Sequence, residues 1–235
     1  MRKDVFIETS NVTEFRQKIR TLEDRENGEP GIALVYGQAG RGKTETTRHH
    51  YALNGGVYLR VMQGWTQAAF LQELCFLTCG VRPRAASACK SKIIEALDVE
   101  PTTLFVDEAD RLHVDRVEDL RDIYDVCGAP IVLIGERELK GLLGERRRIW
   151  SRVSQVVEFG PVVEEDVAIL ADEAAGLDVS AEACGSIVRH ADGDFRLVWT
   201  LLGHLERAAK AKDTTKIDAA MVGVVSKKVA SWRRS

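Results

Sequence analysis

Five apolar or aromatic residues, Ile32-Ala33-Leu34-Val35-Tyr36, run directly into Gly37-Gln38-Ala39-Gly40-Arg41-Gly42-Lys43-Thr44. A buried strand that empties into the pattern GxxxxGK[ST] has few folds open to it. The glycines let the backbone turn tightly, so that its N–H groups converge on a β-phosphate. Lys43 would neutralise the β- and γ-phosphates, and the Thr44 hydroxyl would hold Mg²⁺. The helix that opens at Thr44, with Glu45 in its first turn, adds the positive end of its dipole. Gly37 to Glu45 are therefore the predicted contacts to a nucleotide, ATP with Mg²⁺. A chance match on a glycine-bearing turn is the alternative, and the strand before and helix after the motif argue against it.

Four more short runs share the character of the first: Val57-Tyr58-Leu59-Arg60-Val61, Thr103-Leu104-Phe105-Val106, Ile131-Val132-Leu133-Ile134 and Val156-Val157-Glu158-Phe159. Most are continuously apolar, as strands covered on both faces of a parallel sheet are. Between them lie three-and-four spacings: Phe70, Leu71, Leu74 and Leu77 after the cap Thr66 and before Gly80, then Val117, Leu120, Ile123 and Tyr124. Strands alternating with helices imply right-handed crossovers, and so an α/β fold with a three-layer αβα sandwich around a five-stranded parallel sheet. The alternation stops at Gly160-Pro161. From Glu164 the pattern is helical only, with Val167, Leu170, Ala171 and Ala174, then Ile187, Val188 and Ala191 after the cap Ser180. The expected division is an N-terminal linker or helix over 1–28, a nucleotide-binding core over 29–161 and a helical lid over 162–235.

A second half of the site follows 64 positions after Lys43, where Leu104-Phe105-Val106 ends in Asp107-Glu108. At the carboxyl end of a buried strand, Asp107 would bind Mg²⁺ through water, and Glu108 is placed to polarise an attacking water. That is a role a hydrolase needs and a simple kinase does not. The plainer reading is an acidic cap for the next helix, since Asp110 sits there too.

Phosphate loop, Asp-Glu strand and helical lid together resemble an AAA+ ATPase, a P-loop NTPase. Asp107-Glu108-Ala109-Asp110-Arg111-Leu112 and Val132-Leu133-Ile134-Gly135-Glu136-Arg137-Glu138-Leu139 resemble the phage Mu transposition protein B, TniB and TnsC-like transposition helper branch, related to the ExeA-like ATPases. The resemblance covers nearly the whole chain. It implies a γ-phosphate sensor after Gly135, where this chain carries Glu136 in place of the usual hydroxyl or amide. It implies an arginine acting in a neighbouring subunit's site, for which Arg146, Arg147, Arg148 and Arg152 compete; Arg152, just before the fifth strand, fits best and Arg148 next. For any single one, a solvated basic face is the alternative. In Gly193-Asp194-Phe195-Arg196 it implies a capping Asp194 that places Arg196 toward the nucleotide. Glu8-Thr9-Ser10-Asn11 resembles the segment beside the adenine.

The net charge of −3 disfavours coating nucleic acid by bulk charge. Local charge is uneven, however. The last 33 residues carry Arg207, Lys210, Lys212, Lys216, Lys227, Lys228, Arg233 and Arg234 against three acids, a surplus of +5. A second basic stretch, Arg82, Arg84, Lys90 and Lys92, meets no acid before Glu95. Such clusters can contact phosphates without reading sequence; ordinary solvated faces are the alternative. Trp65 and Trp232 are either stacking residues or packed ones.

Five cysteines with no CxxC pattern, Cys75, Cys79, Cys89, Cys127 and Cys184, read as reduced, mostly buried thiols rather than a zinc site. No apolar run approaches the ~18 residues of a membrane span. The first acids, at Asp4 and Glu8, leave no room for a secretory signal, so the expected compartment is the cytoplasm. The leading expectation is an ATPase that binds duplex DNA without sequence preference, assembles as a homo-oligomeric ring or helical filament with nucleotide at the subunit junction, and recruits and activates a transposase. Its rivals are an ExeA-like or signalling ATPase acting on a protein, a replication helicase loader, and a small-molecule kinase.

Overall fold

The computed structural model describes residues 1–2, 5–24 and 28–232, with side chains described to residue 229. The chain divides into two compact units. One comprises Ser10–Gln38 and Gly42–Phe159; the other comprises Met1–Thr9, Ala39–Arg41 and Gly160–Ser235.

The first unit is built on a five-stranded sheet. Its strands are β1 (Ile32–Tyr36), β2 (Val57–Arg60), β3 (Leu104–Asp107), β4 (Ile131–Gly135) and β5 (Val153–Glu158). They lie in the order β2-β3-β4-β1-β5, every pair parallel. All five residues of β1 and of β4 are buried, which accounts for their unbroken apolar runs. Alternate side chains serve opposite faces. Ile32, Leu34, Leu59, Leu104, Val106, Ile131 and Leu133 point to the side covered by α3 (Gln67–Cys79), α4 (Ala86–Val99) and α5 (Val114–Cys127). The short helices α6 (Arg137–Gly144) and α7 (Arg147–Trp150) add Leu139, Leu143 and Ile149 to the same core. Ala33, Val35, Phe105, Val132, Ile134 and Val157 face the other way, onto Phe15, Ile19 and Leu22 of α1 (Ser10–Glu23). On that face His50 of α2 (Lys43–Asn54) lies edge-on between Phe15 and Phe105. Each fully buried Leu, Ile or Phe of these layers stabilises the fold by about 1.5–3 kcal/mol.

The helix boundaries have local causes. Thr66 accepts a hydrogen bond from the Ala69 amide at the start of α3, and Gly80 ends it in the left-handed conformation, φ 72°. Trp65 packs partly buried against the larger core, which favours the packed reading of that residue.

The second unit packs α8 (Glu164–Ala175), α9 (Ala181–Ala191), α10 (Phe195–Ala211) and α11 (Ala219–Trp232) around Val167, Leu170, Ile187, Leu201, Leu202, Leu205 and Val222. Ile7 joins this core, and the Arg2 amide donates to the Ala174 carbonyl, so the first nine residues group here. The expectation of helices alone needs one correction. Asp178–Val179 and Lys216–Ile217 pair as two-residue parallel strands, β6 and β7. Two residues are too few to display a strand period in sequence.

Candidate nucleotide-binding site

The phosphate loop leaves β1 at its carboxyl end, in backbone conformations that only glycine adopts without strain. Gly40 and Gly42 have φ of +78° and +92°, and Gly37 comes so close to the Phe159 carbonyl that a side-chain carbon there would sit 2.6 Å from it. Nothing stands within 4 Å of the place a side chain on Gly42 would occupy. Lys43, 9% exposed, donates from Nζ to the carbonyls of Gly37 and Gln38, both at 2.8 Å. Burial pushes the Lys43 amine below its ordinary pKa, against the opposing pull of Glu136, Asp107, Asp110 and Glu108. Gln38, Ala39 and Glu45 are exposed, and Thr44 is half-buried at the start of α2.

Strand β3 brings Asp107 to the loop. Its carboxylate is 2% exposed and carries three donors: the Glu108 amide at 3.0 Å and the Thr44 hydroxyl at 3.4 Å on Oδ1, and the Tyr58 hydroxyl at 2.7 Å on Oδ2. Burial, then the bond to Asp107, raises the Tyr58 pKa. Glu108 is in the left-handed region at φ 59°, ψ 36°, which costs a non-glycine residue about 1 kcal/mol. It makes no capping bond to the turn that follows. Its side chain instead pairs with Arg60 at 3.1 Å and Arg111 at 3.0 Å. Asp110 does not cap that turn either: its Oδ1 accepts from the Glu136 amide at 3.0 Å, and a side chain on Gly135 would overlap it. Glu136 is exposed at the amino end of α6.

In the second unit, Asp194 caps α10 as expected, accepting from the Arg196 and Leu197 amides at 2.7 and 3.3 Å. The same carboxylate lies where a side chain on Gly40 would be, and the Phe195 amide donates to the Gly40 carbonyl at 2.8 Å. Arg41, buried, donates to the Asp192 carbonyl at 2.8 Å. Loop residues 39–41 are thus seated on the turn that precedes Arg196. The Arg196 side chain is exposed and forms no ion pair among the described residues.

The other predicted residues are dispersed. Arg152 donates from Nε to Asp125 at 2.9 Å, within its own chain. Arg146, Arg147 and Arg148 are exposed and form no ion pair among the described residues. Of the basic stretch, Arg82 pairs with Glu73 at 2.6 Å over the Phe76 ring, Lys90 with Asp119 and Asp122, and Lys92 with Glu95. Only Arg84 of the four is exposed without an ion pair among the described residues. The cations of that run are largely balanced by acids from other turns and helices. Lys227 and Lys228 are exposed on α11, while Arg233, Arg234 and the side chain of Trp232 lie outside the described residues. The five cysteines are free thiols, four buried and Cys79 half-buried.

Tyr58, Arg60 and Arg111 were not among the predicted site residues. Strand pairing brings the first two in: Tyr58 lies opposite Phe105 and Arg60 opposite Asp107 in the β2–β3 register. The signal available was the alternation of β2, which puts residues 58 and 60 on one face.

A family model described as an AAA domain matches residues 25–143, just over half of the chain. The Mu-like prophage FluMu DNA transposition protein B of Haemophilus influenzae is 29% identical over 76% of this chain and 64% of its own length. The ATP-dependent target DNA activator B of Escherichia phage Mu is 27% identical over 71% of this chain and 55% of its own. The chain therefore spans about half to two thirds of these relatives. Among solved structures, Cdc6p from Pyrobaculum aerophilum superposes on 97% of the chain with a TM-score of 0.67 at 19% identity. The Thermotoga maritima RuvB branch migration motor covers 96% with a TM-score of 0.60 at 20% identity, a likeness of fold. Loop, strand-end acids, sheet order and family match agree: the chain belongs to the AAA domain family and is similar, within it, to the Mu-type transposition proteins B.

Proposed function

We propose that this protein is a magnesium-dependent ATPase that assembles on duplex DNA as a ring or filament and activates a transposase there. The observation that carries the reading is the convergence of buried Lys43, Thr44, Asp107 and Glu108 at one end of the sheet, in a chain similar to proteins named for ATP-dependent activation of target DNA. The residues fit Mg-ATP: open space over Gly42, a buried amine on the loop, and two hard oxygens, Thr44 Oγ1 and Asp107 Oδ1, within 3.4 Å. When bound, the metal supplies charge neutralisation to the phosphates.

In this reading Gly37 to Thr44 hold the phosphates through backbone amides, with Lys43 turning from the Gly37 and Gln38 carbonyls onto them. Glu108 orients water for hydrolysis to ADP and phosphate once Arg60 and Arg111 yield it. Arg196, in the lid of residues 162–235, is the arginine that the resemblance assigns to nucleotide sensing. Glu136, an acid beside Lys43, takes no part in holding the γ-phosphate. For the arginine acting on a neighbouring copy, Arg148 is exposed and forms no ion pair among the described residues, whereas Arg152 must first leave Asp125. Duplex DNA is met by exposed cations, Arg84, Lys227 and Lys228 among them, through phosphate contacts without sequence readout. The working compartment is the host cytoplasm.

Electron microscopy with and without ATP and duplex DNA tests the proposal. Rings or filaments that need ATP support it. A protein that stays monomeric on DNA with ATP, yet forms an ATP-dependent complex with a replicative helicase, belongs to a loader instead.

A further inference from the structure

We infer that Tyr58 is a positioning residue for the metal-binding carboxylate, fixing which oxygen of Asp107 faces the magnesium. The inference rests on the reading of this site as one for Mg-ATP. A carboxylate at a strand end can turn about its last bond and offer either oxygen to a cation. Here the turn is stopped. The Tyr58 hydroxyl donates to Oδ2 at 2.7 Å, while the Glu108 amide holds Oδ1 at 3.0 Å. Hydrogen bonds to an ionised acceptor are the strong ones, and at 2% exposure no solvent competes with them. With Oδ2 occupied, Oδ1 is the oxygen presented to Thr44, whose hydroxyl stands 3.4 Å away. That distance is long for a hydrogen bond, and a cation held by the Thr44 hydroxyl would meet Oδ1 through its bound water.

The fold supplies Tyr58 for this purpose from an edge strand. In the β2–β3 register it lies opposite Phe105, two residues before Asp107 on the same face of the sheet. Its ring rests against the Tyr51 ring of α2, with centroids 5.8 Å apart. Outer partners of metal ligands orient them, and their loss typically weakens metal binding by about 10–100-fold.

Tyr58→Phe keeps the ring and its contact with Tyr51 and deletes only the oxygen. The measurement is binding of a fluorescent, non-hydrolysable ATP analogue to the full chain over a range of free Mg²⁺, with a parallel series in EDTA. The expected result is a Mg²⁺ midpoint raised roughly tenfold, with nucleotide affinity in EDTA unchanged. Tyr51→Leu, which loosens the same packing and leaves the hydroxyl, keeps the wild-type midpoint. An unchanged midpoint in Tyr58→Phe overturns the inference, as does an equal shift in Tyr51→Leu, which would trace the effect to packing. A wild-type protein that binds the analogue with no Mg²⁺ dependence overturns the inference together with the Mg-ATP reading beneath it.

Discussion

Arg60 on the edge strand donates from Nη2 to Oε1 of Glu108 at 3.1 Å, and Arg111 meets the other oxygen at 3.0 Å. The acid placed to activate water is therefore held by two guanidiniums, in a backbone conformation, φ 59°, that a glutamate does not take without cost. An exposed pair of this kind is worth up to about 1 kcal/mol. Replacing Arg60 with Ala should loosen Glu108, leaving Arg111 alone to hold it, and raise ATP turnover roughly 2- to 5-fold. Steady-state phosphate release is the readout, and a fall in rate would mean that Arg60 serves the reaction rather than restrains it.

Glu108→Gln keeps the shape of the side chain and removes its basicity. General-base catalysis contributes about 10²–10⁴-fold, so turnover should drop at least 100-fold while nucleotide still binds. The assembled form should then persist on DNA after ATP is added. Disassembly at the wild-type rate, followed by light scattering, would show that another group activates the water.

The Asp194 carboxylate occupies the space a side chain on Gly40 would need, and Gly40 has φ +78°. Gly40→Ala should disturb both the loop and the cap of α10. The expected outcome is loss of nucleotide binding by titration calorimetry, accompanied by a melting temperature a few degrees lower. Wild-type affinity would mean that the loop tolerates a different path.

Burial, then the neighbouring thiols of Cys79 and Cys89, push the Cys75 thiol up to about 12. At pH 8 it should stay protonated and unreactive. Iodoacetamide applied to the native protein should label half-buried Cys79 and spare Cys75, as mass spectrometry of the peptides can read. Equal labelling of the two would mean that α3 opens in solution.

The legible parts of the site are those whose chemistry is contiguous in the chain. Gly37 to Thr44 carries its own geometry, because glycines and a lysine at fixed offsets make the cradle without help. Thr66, Ser180 and Asp194 announced their helices because a cap acts within three residues. The inner strands β1 and β4 were readable because burial on both faces leaves no polar interruption. Contacts set by pairing between distant segments were not readable. Tyr58 and Asp107 are 49 positions apart and meet only because β2 lies beside β3. The basic stretch from Arg82 to Lys92 looked unopposed for the same reason. Its counter-charges Asp119 and Asp122 belong to α5, and Glu73 lies on the preceding helix. Arg152 showed its place before the fifth strand but not its pairing with Asp125.

Affinity for a fluorescent duplex DNA at moderate salt, measured with ATP, with ADP and without nucleotide, tests most directly whether nucleotide controls DNA binding. ATP should tighten binding at least tenfold over ADP. Lys43→Ala, which removes the buried amine from the phosphate loop, should abolish that difference. Equal affinity in all three nucleotide states of the wild-type protein would contradict an ATP-dependent assembly on DNA.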